Sequence, residues 1–397
     1  MSTEATPKRR KQEQEPASPE IVELARGVLR LQIPINFTGL GHVNSYALLD
    51  DRGATLVDVG LPGRETWQAM RSRLRDAGLA MKDIHTIVIT HSHPDHFGSA
   101  GRLAHAASAD IVAEQRFHTW FERRPSDGHR TTGAEPCREL TPATGTGPDD
   151  QPEEDDTGYF RFTRTRQTPW GGSSWPLKRR QRVVRSLASR SLLPSLRPPI
   201  PSRRVTHGDV LTLAGRPWRV VHTPGHTGDH VCLYDPADEV LLSGDHVLPT
   251  ITPHVGGIST LRDPLGSFLS SLALLRDIGP VTTVLPAHGQ PLSDLSGRIR
   301  EIVEHHDSRL AQLREIGAAL GPSGGTVVEI SQQLFKKPLW GMMAESEAYA
   351  HLEFMRIRGD AEQLHFGDQL GYRIEPGGTS SAASASVSPR EAAGGDS

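Results

Sequence analysis

The chain has 397 residues, a formal net charge of −3 and 36% hydrophobic residues, which is enough for a packed core and does not favour a dominant role in binding polyanions. Its two cysteines exclude a disulfide framework and a cysteine-rich zinc finger. Because no apolar run approaches the roughly 18 residues of a membrane span and the basic N-terminus precedes no apolar segment, we expect no membrane partner and a cytoplasmic location.

Residues 1–20 are polar and contain prolines, which predicts a disordered tail. From residue 28 onward, alternation with period two and short aliphatic runs predict strands, and apolar residues three or four positions apart predict helices. The predicted strands are 28–33, 45–49, 54–59, 84–90, 210–213, 218–222, 231–234, 240–243 and 281–285, and the predicted helices are 64–77, 264–277 and 297–320.

Residues 125–204 are rich in Gly, Pro, Ser, Thr and Arg and have no sustained hydrophobic period, so we predict a disordered insert, with an ordered lid as the alternative. Downstream, helical stretches near 326–335 and 344–358 are followed by a hairpin that ends at Ile374. These elements predict a small, mainly helical region over 300–375. The Gly/Ser/Ala-rich tail 376–397 is again predicted to be disordered.

Four side chains that bind metals fall within six residues in the segment His91-Ser92-His93-Pro94-Asp95-His96. The segment directly follows the predicted strand 84–90, and the carboxyl ends of strands are where α/β sheets place their sites. Histidine nitrogen and aspartate oxygen are donors that Zn²⁺ accepts. The motif therefore predicts a metal site.

The same arrangement recurs three times. Short aliphatic strands lead into His222-Thr223-Pro224-Gly225-His226, Ser243-Gly244-Asp245-His246 and Pro286-Ala287-His288-Gly289. Each strand ends in a turn of small residues that presents a histidine or an aspartate, and glycine lets the backbone approach closely. The four loops are therefore predicted to meet at one rim.

The motifs HSHPDH, HTPGH, SGDH and PAHG, in this order, resemble the metallo-β-lactamase superfamily, with Asp58 as an early aspartate at a strand end. The resemblance covers roughly residues 27–121 and 204–295. It implies an α/β fold, an αβ/βα four-layer sandwich over 21–299 interrupted by the insert. Region 300–375 resembles the winged-helix-like C-terminal domain of a branch with hydroxyacylglutathione hydrolases and lactamase-beta-like proteins.

This resemblance also implies a set of metal ligands. His91, His93 and His226 would hold a first ion, Asp95, His96 and His288 a second, and Asp245 would bridge both. Asp95 would act in catalysis as well, by taking up a proton. The expected cofactor is zinc, with two ions per chain, and iron or manganese are alternatives.

The implied activity is metal-dependent hydrolysis, in which a hydroxide that bridges the metals attacks an acyl carbonyl or a phosphorus atom. A small acyl substrate, a thioester or ester, is the favoured partner. An endoribonuclease or phosphodiesterase acting on RNA is the second hypothesis, and a non-catalytic metal-binding relative is the third. The oligomeric state stays open.

Further polar residues near the motifs receive provisional roles. Asp58 is expected to orient the ligand loop rather than to bind metal, and most neighbouring histidines are expected to be structural. His42 and Asn44 are candidates for substrate contact, and His254 for lining the pocket. The remaining assignments are structural roles for His222, His230 and His246, a core position for Cys232, no role for Cys137, and a solvated helix face for His305 and His306.

Overall fold

A computed structural model of the protein describes residues 11–37, 39–119, 167–172 and 199–385. Most of the predicted insert and Cys137 lie outside the described residues. Each strand and helix predicted over 28–90 and 210–320 overlaps an observed element of the same type. The periodicity of the sequence therefore identifies the main elements correctly.

The first sheet has seven strands that follow one another in chain order. Its first half is antiparallel, whereas β4, β5, β6 and β7 are mutually parallel. The strands are β1 Val22–Ala25, β2 Val28–Phe37, β3 Leu40–Asp50, β4 Gly53–Val57, β5 Ile84–Val88, β6 Asp110–Glu114 and β7 Arg203–Val205.

The second sheet has five strands in the order β12-β11-β10-β9-β8. Strands β9, β10 and β11 are antiparallel to one another in turn, and β11 pairs with β12 in parallel. As a result, β9, β11 and β12 all point their carboxyl ends toward the same edge. The strands are β8 Val210–Leu213, β9 Arg216–His222, β10 Val231–Asp235, β11 Val240–Gly244 and β12 Thr283–Pro286.

The helices are α1 Arg64–Asp76, α2 Pro94–Phe97, α3 Ala100–Ala107, α4 Pro264–Arg276, α5 Leu295–Leu320, α6 Val327–Leu334, α7 Met342–Ile357 and α8 Ala382–Ala385. Side-chain caps start three of them: the Asp263 and Asp294 carboxylates accept the backbone amides of Gly266 and Gly297, and Thr326 forms a capping box on α6. A C-terminal sheet joins β13 Gly325–Thr326, β14 Ala361–Phe366 and β15 Gln369–Ile374.

Three buried apolar clusters define the layers. One lies between the two sheets and joins Val88 of the first sheet to Trp218 of the second. Another packs α1 and α3 on the outer face of the first sheet, and the third packs α4 to α7 on the outer face of the second. The order of layers is thus helix, sheet, sheet, helix, with α5 running through the domain boundary predicted at 299/300.

The two tails that were predicted to be disordered are folded where the structure describes them. In the N-terminal segment the Glu13 side chain is fully buried and accepts the backbone amides of Thr250 and Ile251. In the C-terminal tail Ser380 is buried against Asp360. The sequence missed these segments because their few anchoring side chains give no periodic signal.

Part of the predicted insert is also folded. In 167–172, Trp170 is 1% exposed within the third cluster, and its indole Nε1 donates to Glu345 Oε2 at 3.0 Å. The backbone amide of Leu370 donates to the Trp170 carbonyl at 2.8 Å. This short segment is therefore bound to the C-terminal elements.

The solvated helix face predicted for His305 and His306 is wrong for His306. This side chain is 1% exposed, and its Nδ1 lies 3.1 Å from Nε2 of His351. The residue pattern of α5 gives no sign that α7 covers the helix face on which His306 lies. None of the described helices is long and apolar enough to cross a membrane.

Replacing Trp170 with alanine should lower the free energy of unfolding by about 3–5 kcal/mol, because it empties a buried site of aromatic size. Chemical denaturation followed by circular dichroism measures this loss. Trp340→Ala is the matched control, since Trp340 is 43% exposed. Equal, small effects of the two substitutions would show that residues 167–172 are not packed in solution.

Candidate metal centre

The ends of five strands from the two sheets converge on one buried point. Asp58 follows β4, the HSHPDH segment follows β5, and the second sheet contributes the turns after β9, β11 and β12. Because these strands all end at the same edge, side chains far apart in sequence face one another. The seven predicted ligands are thus brought together as two groups of potential metal donors.

The first group contains His91, His93, His226 and Asp245. Nδ1 of His93 lies 3.1 Å from Nε2 of His91 and 3.0 Å from Nε2 of His226. The Asp245 Oδ2 atom lies 3.5 Å from Nε2 of His226 and 3.9 Å from Nε2 of His91. Four donor atoms therefore surround a single point.

The second group contains Asp95, His96 and His288. The Asp95 Oδ2 atom lies 3.7 Å from Nε2 of His96 and 3.6 Å from Nε2 of His288. Asp245 reaches this group too, with Oδ2 at 3.5 Å from His96 Nε2 and Oδ1 at 3.3 Å from His288 Nε2. The Asp245 carboxylate thus stands between the two groups.

These residues fit divalent metal ions. Donor atoms about 2.0–2.1 Å from a tetrahedral zinc ion lie about 3.3 Å from one another, close to the separations in both groups. His96 Nε2, His288 Nε2 and Asp245 Oδ1 are buried, and among the described residues none of them forms a hydrogen bond of normal geometry, although His288 Nε2 and Asp245 Oδ1 lie 3.3 Å apart. Buried polar atoms normally have partners, so three adjacent exceptions indicate that a cation completes the site.

Four imidazoles have the same arrangement of ring nitrogens. Their Nδ1 atoms contact protein oxygens: Thr90 Oγ1 for His91, Asp58 Oδ2 for His96, the His254 carbonyl for His226 and the His42 carbonyl for His288, at 2.6–3.0 Å. An Nδ1–H that donates to such an oxygen leaves Nε2 with its lone pair, the tautomer that binds a metal. The Nε2 atoms face the centre.

The pKa values of the histidines are shifted in opposite directions in the two groups. Burial lowers the pKa of His91 well below its usual value and that of His93 to about 3, with neighbouring imidazoles acting in the same direction. Burial also lowers the pKa of His96 and His288, but nearby carboxylates, Asp245 foremost, outweigh it and raise both values. The second group therefore stabilises positive charge, as a bound cation would require.

Asp58 contacts two of the predicted ligands, His96 directly and His91 through Thr90. Its Oδ2 atom accepts from Nδ1 of His96 at 2.8 Å and from the Thr90 hydroxyl at 2.8 Å, while Oδ1 accepts the Thr90 amide. Thr90 Oγ1 in turn contacts His91 Nδ1. Asp58 has φ of 54°, a left-handed conformation that aspartate tolerates and that turns its carboxylate toward the loop. The orienting role predicted for Asp58 agrees with this geometry.

His230 fixes the backbone of Asp245. Its Nε2 accepts the Asp245 amide at 3.1 Å, and its Nδ1 contacts the Thr223 hydroxyl at 2.7 Å. Gly244 has φ of 52°, and a Cβ there would lie 2.5 Å from His230 Nε2. Only glycine allows this approach, so the Gly-Asp step in the SGDH motif serves the placement of Asp245.

His42 and Asn44 do not reach the substrate side. Both are fully buried, and Asn44 donates to the carbonyls of Pro286 and Gly289 while His42 Nε2 accepts the Gly289 amide. They hold the turn that carries His288. The prediction of substrate contact for this pair is therefore wrong, because both residues lie in strand β3 and are fully buried there.

The remaining candidates have structural contacts. His222 Nε2 lies 2.9 Å from the Gly228 carbonyl, and the His246 ring packs 4.5 Å from Phe268, centroid to centroid. Burial lowers the pKa of His246 to about 3 and raises that of the Cys232 thiol to about 12. The half-buried His254 pairs with Glu347, and its backbone contacts a ligand.

A cavity of about 90 Å³ opens beside the first donor group. Ile258 is the one aliphatic side chain among its described lining residues. The wall otherwise offers hydroxyls, a backbone turn, histidines and a guanidinium. The described lining residues are Ser92, His93, Arg116, His118, His226, Thr227, Gly228, Asp229, Ile258, Ser259 and Thr260.

Comparison with known proteins agrees with this geometry. The family model for the metallo-beta-lactamase superfamily matches residues 38–288. The chain belongs to this superfamily. All seven donors lie within the matched residues, and the sequence resemblance that predicted the family is confirmed at this level. Membership of this superfamily and the two donor groups support metal-dependent hydrolysis as the activity to be tested.

Among curated superfamily relatives, a probable metallo-hydrolase, YqjP of Bacillus subtilis, is 24% identical over 83% of this chain and 92% of its own. The lactamase-like protein aptB of Emericella nidulans is 31% identical, but the alignment spans 34% of this chain and 43% of aptB. The chain thus matches less than half of the length of aptB.

Two solved structures extend the likeness over most of the chain. A metallo-beta-lactamase family protein from Thermus thermophilus has a TM-score of 0.66 and 28% identity, covering 89% of this chain and all of that one. A beta-lactamase domain protein from Burkholderia ambifaria has a TM-score of 0.62 and 25% identity, covering 90% and 95%. The superfamily fold therefore accounts for the α/β architecture.

Several supporting residues gave no signal in the sequence. These residues act through contacts between distant segments: Thr90 donates to Asp58, Glu13 accepts from Thr250, and Ser92 Oγ lies 3.0 Å from Asp229 Oδ1. Asp229 directly precedes His230 and stands three positions after the predicted ligand His226. Position beside a ligand, rather than residue type, is what could have identified it.

Asp58→Asn should weaken binding of a divalent ion by about 10–100-fold, the usual cost of losing a carboxylate that orients a histidine ligand. Competition with a chromophoric chelator measures the affinity. Asp51→Asn, in the exposed turn between β3 and β4, serves as the control. If both variants bound metal as tightly as the wild type, the orienting role of Asp58 would be refuted.

Proposed function

We propose that the protein is a dinuclear metal-dependent hydrolase that acts on a thioester or ester, with His91, His93 and His226 at one ion and Asp95, His96 and His288 at the other. Asp245 would contact both. The observation that carries this proposal is the placement of one buried carboxylate within 3.3–3.9 Å of imidazole nitrogens from both donor groups. Two nearby dications require such an anion between them.

Asp95 has a second role in this proposal. Its side chain is 17% exposed, against 9% for Asp245, so it is the more open of the two central carboxylates. Divalent ions bound here would activate a water molecule and polarise the substrate carbonyl. Asp95 would take up a proton from the attacking water and return it to the departing thiol or alcohol.

The cavity beside the first group supports an acyl substrate. The hydroxyls of Ser92, Thr227, Ser259 and Thr260 suit amide and carbonyl groups, and Arg116 suits one anionic group. A bound RNA strand would need several cations along its phosphates. Arg116 is the single arginine, and no lysine occurs, among the described residues that line this cavity. The nuclease alternative is therefore less favoured.

We also propose that the ions are zinc, since the donors are mainly imidazole nitrogens, and that the C-terminal helices and hairpin form the winged-helix-like domain of the lactamase-beta-like branch. The three-stranded sheet β13-β15-β14 beside α5, α6 and α7 supports the second point. Under this proposal the partner of the protein is a small acyl compound.

Protein purified without chelators should contain two divalent ions per chain by elemental analysis. Asp245→Ala should lose metal and lower the hydrolytic rate on the order of 10³-fold, because both ions lose a ligand. Asp277→Ala changes an exposed aspartate after α4 and should leave both quantities intact. Wild-type protein that is folded and active without metal would overturn the proposal.

Substrate class is decided by initial rates on an acyl thioester and on single-stranded RNA, each at low and high salt. We expect thioester turnover with little dependence on salt, because Arg116 is the single arginine, with no lysine beside it, among the described residues that line the cavity. The Asp245→Ala variant, purified in parallel, controls for contaminating enzymes. RNA cleavage that falls steeply with salt would establish the nuclease instead, and turnover of neither substrate would favour a non-catalytic relative.

A further inference from the structure

The loop that follows Asp245 connects a metal-site histidine to the C-terminal helix α7. The backbone carbonyl of His254 accepts Nδ1 of His226 at 2.7 Å. The imidazole of the same residue places its Nδ1 at 3.5 Å from Oε2 of Glu347. One residue therefore touches the metal site with its main chain and α7 with its side chain.

Glu347 is a charged residue in a mostly buried position, with a side chain 18% exposed. On its other side, Oε1 lies 3.8 Å from Nε of Arg309 on α5. Burial raises the pKa of Glu347, but the contact with His254 and the charges of His351 and Arg309 outweigh it and lower the value to about 2. The carboxylate is thus ionised and held between the His254 imidazole and the Arg309 guanidinium.

The loop sits directly on α7. The Gly257 amide donates to the Ser346 carbonyl at 3.0 Å. A Cβ at Gly256 would lie 2.8 Å from Ser346 Oγ, and one at Gly257 would lie 2.3 Å from Cδ1 of Tyr349. Both positions need glycine for this approach, so the sequence after His254 is adapted to contact with α7.

The start of the loop is held separately. Glu13 accepts the amides of Thr250 and Ile251, and Arg298 on α5 donates to the carbonyls of Leu248 and Ile251. These contacts fix the chain ahead of His254 without touching its side chain. In the part of the chain that the structure describes, Glu347 is the acidic group paired with His254.

We infer that Glu347 is a positioning residue for His226 and acts through His254, an inference that rests on the proposed role of His226 as a metal ligand. Glu347 fixes the His254 ring and with it the His254 carbonyl. That carbonyl holds the proton on Nδ1 of His226. Nε2 of His226 then directs its lone pair at the centre of the donor group, and this atom lies 3.0 Å from His93 Nδ1.

The first test uses metal-free protein labelled with ¹⁵N-histidine. The Nδ1 proton of His226 should give a protected NMR resonance, assigned by its loss in His226→Ala. Glu347→Gln should shift this resonance and speed its exchange with water. Glu362→Gln, an exposed glutamate on β14, should leave it unchanged. An unaltered resonance in Glu347→Gln would overturn the inference.

The second test is a double-mutant cycle on zinc affinity, measured by chelator competition. Glu347→Gln should weaken binding about 10-fold, at the lower end of the effect of residues that orient ligands. In a His226→Ala background the same change should have no effect, because the ligand it positions is gone. An equal loss in both backgrounds would indicate only a general effect on stability and would overturn the positioning role.

His254→Ala provides an independent variant that keeps the backbone carbonyl but removes the imidazole. It should reproduce the loss seen in Glu347→Gln, and the double variant should be no worse than either, because the two side chains act as a unit. Additive losses would contradict the inference. If the wild type bound no zinc, the proposed function would fail, whereas the His226 resonance would still decide the role of Glu347.

Discussion

The Asp245 carboxylate, buried among imidazoles, is the feature on which the rest of the structure depends. Burial raises its pKa, yet the charges of His288 and His96 outweigh burial and hold it well below the usual value. A buried carboxylate is costly unless cations compensate it. The two sheets provide this compensation because five strands end at one edge. Each loop that follows adds a donor or the hydrogen bond that orients one.

The sequence predicted the elements of this centre but not all of its supports. The seven predicted metal donors were recognisable because four of them fall in one short motif and the others follow aliphatic strands. Asp58 was recognisable because it directly follows the neighbouring strand β4. These signals are local in the sequence. Because the strands end at the same edge, the residues that follow them come close together in space.

What sequence reasoning missed depends on contacts between segments far apart. Glu13, Trp170 and His306 were assigned to tails, an insert or a solvated face, yet each is buried against a partner more than 40 positions away. In the sequence, nothing distinguishes Glu347 from the other glutamates of the predicted helices. Local periodicity carries no information about which distant segment covers a residue, so these assignments needed the folded chain.

Anomalous diffraction from crystals of the zinc-loaded protein tests the central claim most directly. Data collected on both sides of the zinc absorption edge should show two peaks, one in contact with His91, His93 and His226 and the other with Asp95, His96 and His288. Asp245 should contact both. A single peak, or peaks held by other residues, would contradict a dinuclear centre organised around this carboxylate.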